Sequence, residues 1–360
     1  MSKNLAKFQR TIHAALDAVF RRALEQERAE GPTVFDLRSA KFVIFSDQHK
    51  GKRDAADDFL VCERAYNAAL AYYDRLGYTL IVLGDAEELW EDWPESVVKA
   101  YQHTLALEQK FHQDGRYLRF WGNHDDAWSH VDLVEQWLVP ALGDLPLKVY
   151  ETLILHIQDG EEELGRILLF HGHQGTFRSD RIRPISKFIS RYFWRPIQRF
   201  FKIRVNTPAK DFELRYAHES AMYTWSEKQN KILLIAGHTH RAVFKSESHE
   251  EVIRRCLKEA EEEFRKHPHS KKLQQEIAEL SAELEWALAQ DRLSPLDVPL
   301  VAFKKPTYFN SGCCAFLDGD VTGLEFSEGD IQLVRWPDDE GHPLPKVLAK
   351  ARLKDVFAAC

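Results

Sequence analysis

The chain is poor in sulfur and has no long apolar run, and each shortage closes off a class of protein. Among 360 residues there are five cysteines and two methionines. Cys62, Cys256, Cys313, Cys314 and Cys360 are odd in number and form no C-x-x-C, and two of them are adjacent, an awkward geometry for a disulfide. That pattern argues against a disulfide scaffold or a thiolate zinc knuckle and predicts free thiols in a reducing, cytoplasmic compartment. No stretch approaches the ~18 consecutive apolar residues of a membrane span, and the charged N-terminal segment lacks the apolar centre of a signal peptide. An excess of positive charge is also missing. The net charge of −7 gives no global pull toward nucleic acid, which is not expected as a partner.

What remains is ordinary soluble-protein composition, 44% hydrophobic and 29% charged, on a chain long enough for a sizeable core. Residues 1–35 read as an amphipathic helix, because Leu5, Phe8, Ile12, Leu16, Val19 and Phe20 recur every three or four positions before Gly31-Pro32 ends the pattern. Five short apolar runs follow, each rich in β-branched or aromatic residues and each ending in a polar cluster: "KFVIFSDQH" (41–49), "TLIVLGDAEE" (79–88), "YLRFWGNHDD" (117–126), "RILLFHGH" (166–173) and "KILLIAGHTH" (231–240). Continuous apolar runs suit strands buried on both faces. Helical patterns at Phe59–Leu76 and Glu95–Phe111 lie between the early ones. The alternation predicts an α/β fold whose ligands bind beyond the carboxyl ends of the strands. "TYFNSGCCAFL", "VTGLEF" and "DIQLVRW" predict consecutive antiparallel strands near the C-terminus.

Two segments break the pattern. Residues 246–292 are charged and helix-favouring, with Leu273, Ile277, Leu280, Leu284 and Ala287 in alternating four- and three-residue steps, and "HPHS" at 267–270 between the halves. This predicts an inserted helical hairpin whose seam needs a partner surface, either the parent domain or a second copy in a homo-oligomer. Residues 181–204 hold eight arginines or lysines, no acid and many aromatics. Three readings stand: a lid whose arginines hold substrate phosphates, an interfacial helix making peripheral contact with anionic lipid, or a helix packing its aromatics into the domain.

The chemistry sits at the ends of the five runs: Asp47 and His49, Asp85 and Glu88, Asn123 and His124, His171 and His173, His238 and His240. Imidazole, carboxylate and amide donors suit first-row divalent metals rather than calcium. A single such pair is usually a satisfied core histidine, but five at five predicted strand ends point to a metal site. Asp125 and Asp126 are expected to cap the following helix.

In this order the blocks D-Q-H, G-D-A-E-E, G-N-H-D, H-G-H and G-H-T-H resemble those of the calcineurin-like metallophosphoesterases across about residues 41–337. The resemblance implies two packed mixed β-sheets flanked by helices, with a helical lid at 178–230 and the hairpin inserted in a domain spanning 36–337, and a tail at 338–360. It also implies two divalent ions, most readily Mn²⁺, with Fe, Zn or Mg as alternatives. Asp47, His49, Asp85 and His240 would hold one ion, and Asp85 would bridge to a second bound by Asn123, His171 and His238. A metal-bound hydroxide would attack a phosphoester or pyrophosphate directly. His124, oriented by Glu88, would stabilise the phosphoryl oxygens or protonate the leaving group. Arg178, Arg181, Arg241 and His173 are candidate substrate contacts. Within the superfamily, Gly84 to Trp90, Gly237 to Arg241 and Asn310-Ser311-Gly312 are similar to the UDP-2,3-diacylglucosamine pyrophosphatases. That likeness implies a lipid-linked nucleotide as a narrower substrate class, although the chain keeps His124 where that branch usually has arginine. A scaffold role using the hairpin is the alternative from another class.

Overall fold

The computed structural model describes residues 3–175, 212–268, 270–290, 305–316, 318–338 and 343–360. Segment 181–204, most of the expected lid, Arg178 and Arg181 lie outside the described residues. Helix α1 (Lys3–Glu30) leads into β1 (Thr33–Asp36), β2 (Phe42–Phe45), α2 (Glu63–Arg75), β3 (Thr79–Leu83), α3 (Pro94–Ala100), α4 (Gln102–Gln113) and β4 (Tyr117–Phe120). Next come β5 (Val149–Tyr150), β6 (Thr152–Asp159), β7 (Glu162–Phe170), α5 (Phe212–Ser226), β8 (Ile232–Ala236), β9 (Ala242–Phe244) and β10 (Glu247–Ser248). The chain ends with α6 (His249–Lys266), α7 (Lys271–Gln290), β11 (Tyr308–Ser311), β12 (Val321–Ser327), β13 (Asp330–Trp336), β14 (Lys346–Arg352) and α8 (Leu353–Ala358).

The strands form two seven-stranded sheets, ordered β1-β6-β7-β8-β11-β9-β10 and β14-β13-β12-β2-β3-β4-β5. Both are mixed: β2, β3, β4 and β5 run parallel while β12, β13 and β14 join antiparallel, and β7, β8 and β11 run parallel between antiparallel flanks. The expected two-sheet α/β sandwich is what the chain forms.

The apolar runs are continuous because alternate residues face different cores. Phe42, Ile44, Ile81, Leu83 and Phe120 meet Leu155, Ile167, Leu169, Leu233, Ile235 and Phe309 between the sheets. Val43, Phe45, Leu80 and Val82 face the other way, onto α2 and α4. On the far side, Ile154, Leu168, Phe170, Ile232 and Leu234 pack with Ile12, Leu16, Val19 and Ala23 of α1 and with Ala221, Met222 and Trp225 of α5. The N-terminal helix is therefore one outer layer of the sandwich.

Three expectations need correction. First, β11 does not form a hairpin with β12. It enters the other sheet, parallel to β8 and antiparallel to β9, while β12 and β13 do pair antiparallel. Second, the helical pattern at 95–111 is divided at Tyr101 into α3 and α4. Third, residues 338–360 carry β14, which extends one sheet edge, and α8, which buries Leu353, Val356 and Phe357. The expected hairpin appears as α6 and α7. Ile253 and Ala260 of α6 are buried, and Glu283 of α7 pairs with Lys346 of β14 at 2.9 Å. No disulfide joins the five cysteines.

Candidate metal centre

Each ligand loop starts where a parallel strand stops, so the site lies along the carboxyl ends of β2, β3, β4, β7 and β8. The backbone there is strained. Asp47, His49, Asp85, His238 and His240 all have positive φ, between 50° and 70°. Non-glycine residues seldom adopt that region, and such outliers concentrate at functional sites. The turns bring alternate side chains of D-x-H and G-H-x-H to the same side. Two glycines make the approach possible. A Cβ on Gly122 would sit 2.7 Å from His171 Cδ2 and inside contact with Asp85 Oδ1, and one on Gly237 would overlap Ser46 and Asp47.

The candidate ligands gather into three groups whose donor atoms lie within 4.8 Å of one another: Asp47, His49 and His240; Asp85, His171 and His238; and His49, Asp85 and His124. In detail, His240 Nε2 is 3.2 Å from Asp47 Oδ1 and 3.1 Å from His49 Nε2, while His171 Nε2 is 3.0 Å from Asp85 Oδ2. Asp85 and His49 each belong to two of the groups, and Asp85 Oδ2 lies 3.9 Å from His49 Nε2. The remaining ring nitrogens are anchored outside the cluster. His171 Nδ1 donates to the Leu83 carbonyl at 2.9 Å and His49 Nδ1 to Glu88 at 3.1 Å, which leaves each Nε2 directed inward. Asn123 Oδ1 is buried with no hydrogen-bond partner. Buried polar atoms without partners are costly. An amide oxygen left open on the loop that carries His124, with carboxylates and imidazoles gathered as above, fits a divalent cation.

The electrostatics are those of a carboxylate–imidazole cluster: against burial, Asp85 and Asp47 raise His171 to about 9. Burial opposes ionisation of Asp85, yet His171 and His124 hold it well below the ordinary carboxylate range. Burial likewise works against His124 carrying a proton, but Glu88 and Asp85 raise it to about 9. His238 goes the other way, pushed well down by burial and by His171, and so remains a neutral imidazole, the ligating form. His124 is fixed on two sides. Its Nδ1 lies 2.7 Å from Glu88 Oε2, and the Trp90 ring stacks on it at 4.4 Å and 18°. Glu88 thus contacts both His124 and the candidate ligand His49.

The substrate-contact candidates fare unevenly. The His173 ring lies 5.5 Å from that of His171 and 5.3 Å from that of Trp121, beside the second group. Arg241 pairs with Glu219 of α5 at 3.1 Å. Asp125 is not a helix cap. Its carboxylate accepts the backbone N–H groups of Gly122 at 2.6 Å, Ala86 at 2.8 Å and Asp85 at 3.2 Å, and so ties two ligand loops together. His218 of α5 was not anticipated. It is buried 5.7 Å from the His238 ring, and nothing around it in the sequence marks it.

A model of the family described as calcineurin-like phosphoesterase matches residues 40–242. A search of curated proteins finds no match.

Proposed function

The chain belongs to the calcineurin-like phosphoesterase family, and from that premise we propose that it hydrolyses a phosphoester or pyrophosphate through a two-ion centre. Metal-dependent phosphoester hydrolysis is the activity the family implies. The observation that supports the two-ion form is the pair of ligand groups, Asp47–His49–His240 and Asp85–His171–His238, with a buried, open Asn123 oxygen on the loop after β4. Asp47, His49, Asp85 and His240 would hold one ion, and Asp85, Asn123, His171 and His238 the other. Divalent ions there, Mn²⁺ foremost among metals that accept such nitrogen and oxygen donors, would supply positive charge to polarise the phosphoryl group and acidify an attacking water.

The chain's own residues do the rest. His124, kept protonated by Glu88 and held by the Trp90 ring, donates to the phosphoryl oxygens or to the leaving oxygen. Asp125 keeps the loops after β3 and β4 in register. A second reading narrows the substrate to a pyrophosphate such as a nucleotide-linked lipid. It is favoured by the Gly84–Trp90 motif, whose tryptophan meets the catalytic histidine directly. No helix among the described residues is long and apolar enough to cross a membrane.

The test is hydrolysis of bis(p-nitrophenyl) phosphate, p-nitrophenyl phosphate and a UDP-sugar with Mn²⁺, beside His124→Ala and Asp85→Ala. Turnover that EDTA abolishes, Mn²⁺ restores and both variants lose supports the reading, and the preferred compound ranks diester, monoester and pyrophosphate. Failure of the Mn²⁺-loaded protein to bind any metal sinks it.

A further inference from the structure

Behind the ligand loops, on the side of the sheet that faces α2 and α4, four charged side chains are shut away from water. Lys50, Glu108 and Arg119 are 0% exposed and Glu87 1%. They close on one another. Lys50 Nζ lies 3.3 Å from Glu87 and 3.0 Å from Glu108, and Arg119 pairs with Glu87 and, at 3.3 Å, with Glu108. Hydroxyl and indole donors complete the set: Tyr117 donates to Glu108 at 2.6 Å, Tyr66 to Glu108 at 3.3 Å and Trp128 to Glu87 at 2.8 Å. Two positive and two negative charges leave the cluster neutral.

Its members occupy telling positions. Lys50 follows His49, and Glu87 lies between Asp85 and Glu88. Arg119 is the next-to-last residue of the strand that leads to Asn123, and Trp128 lies three residues beyond Asp125. Lys50 and Glu87 face each other across an isolated parallel bridge beyond the ends of β2 and β3. The backbone there continues the ladder: His49 N–H to Asp85 O, Lys50 N–H to Ala86 O and Glu88 N–H to Lys50 O, each at 2.9 Å. Adjacent side chains diverge there. His49 and Glu88 face the metal groups while their chain neighbours Lys50 and Glu87 turn back into the charge cluster, and Asp85, in a left-handed turn, reaches the metal groups two residues before Glu87.

A buried ionic cluster is a poor source of net stability, since well-packed apolar side chains usually serve as well or better. What it adds is direction, because each link forms at only one relative placement of the segments it joins. We propose that Lys50 and Glu87, held by Glu108 and Arg119, are positioning residues that set the mutual placement of His49, Asp85 and Glu88. The proposal rests on the metal centre put forward above.

The test compares Lys50→Met, Glu87→Gln and the charge-balanced double variant, measuring melting temperature, Mn²⁺ affinity by calorimetry, and kcat and KM on bis(p-nitrophenyl) phosphate. Each single variant leaves a buried charge uncompensated and melts lower. The double variant is expected to melt near the wild type, yet to bind Mn²⁺ roughly 10- to 100-fold more weakly, the usual cost of losing an outer partner of a metal site, with kcat falling and KM little changed. A folded double variant with wild-type Mn²⁺ affinity and kcat overturns the positioning role and leaves the cluster as packing. Should that variant not fold, Lys50→Met/Glu108→Gln, which also removes one charge of each sign and spares Arg119–Glu87, carries the same two outcomes. Wild-type protein that binds no Mn²⁺ refutes the metal centre itself, and this proposal with it, so the two failures are told apart.

Discussion

Gly122→Ala adds a single methyl group and should uncouple the protein from its metal. In the structure that carbon falls 2.7 Å from His171 Cδ2 and 2.8 Å from the Asp85 amide nitrogen, and closer still to Asp85 Oδ1. Carbon contacts settle near ~3.5–4.0 Å, so one loop must retreat by about 1 Å. Neither neighbour can yield alone. His171 is fully buried and tied through Nδ1 to the Leu83 carbonyl, and the Asp85 nitrogen is backbone already held by Asp125. Overpacking of this kind costs about 1–3 kcal/mol, and a 1 Å misplacement of reacting groups costs on the order of 10²-fold in rate. The sharper readout is thermal stabilisation by Mn²⁺. At a metal concentration of ~100 Kd, wild-type protein gains about 2.7 kcal/mol, and a hundredfold weaker site gains only ~0.4 kcal/mol by the same relation. Gly115→Ala is the control. Its φ is +67° with nothing within 4 Å, so it should lose about 1–2 kcal/mol from left-handed strain while keeping the full Mn²⁺ gain. A Gly122→Ala protein that Mn²⁺ stabilises as much as wild type would refute the reasoning.

Three further outcomes are expected. Glu88→Gln removes the carboxylate that contacts both His49 and His124, so kcat on a phosphodiester should fall by roughly 10²-fold, within the range for losing acid–base assistance; steady-state kinetics showing a drop of less than threefold would rule this role out. His13 of α1 contacts the Ala221 carbonyl and Thr224 hydroxyl of α5, and burial followed by the Lys228 charge holds its pKa below the ordinary 6.5. A depressed histidine favours the fold above that value, and the contribution is lost as pH falls through the folded pKa. Fluorescence of Trp225, which packs on Phe20 of α1, should therefore change on acidification below pH 6.5 in wild type and not in His13→Asn, and an identical response from both proteins would exclude His13 as the cause. Phe42→Ala removes a ring stacked 4.1 Å from Phe326 in the layer between the sheets and should cost about 3–5 kcal/mol in chemical denaturation; a loss under 1 kcal/mol on the same scale would mean that the layer collapses around the gap.

The strands and the ligand candidates were legible for one reason: burial on both faces writes an unbroken apolar run, and a strand end writes an abrupt polar doublet. "KFVIFSDQH" announces both at once. Features set by distant partners were not legible. Nothing in "TYFNS" says that β11 pairs with β8 rather than with β12, because that choice depends on which sheet has an open edge. The segment after Trp336 is short and charged, and its strand and helix exist because β13 offers an edge and the inter-sheet core accepts Phe357. Asp125 looks like a cap because it precedes a helical turn, yet the open N–H groups of the neighbouring loop claim it. Arg119 did carry a signal. A charge inside an apolar strand must find a buried partner, and Glu87 is the partner, in a doublet whose other member, Glu88, faces His124.

The division of the candidate ligands between the sheets has a consequence for folding. Asp47, Asp85 and Asn123 follow strands of one sheet, and His171, His238 and His240 follow strands of the other. Neither sheet alone carries a complete set, so the left-handed turns at Asp47, His49, Asp85, His238 and His240 are compensated only once the inter-sheet layer of Phe42, Ile44, Leu169 and Ile235 has formed. Binding energy at such a site is folding energy. It acts across the sandwich because the ligands come from both sheets, and within one sheet it offsets the repulsion between Asp47 and Asp85, which raises the pKa of Asp47 against the lowering by its histidines. Because three of the histidines come from the other sheet, a bound cation should stabilise the docking of the two sheets more than the structure within either one.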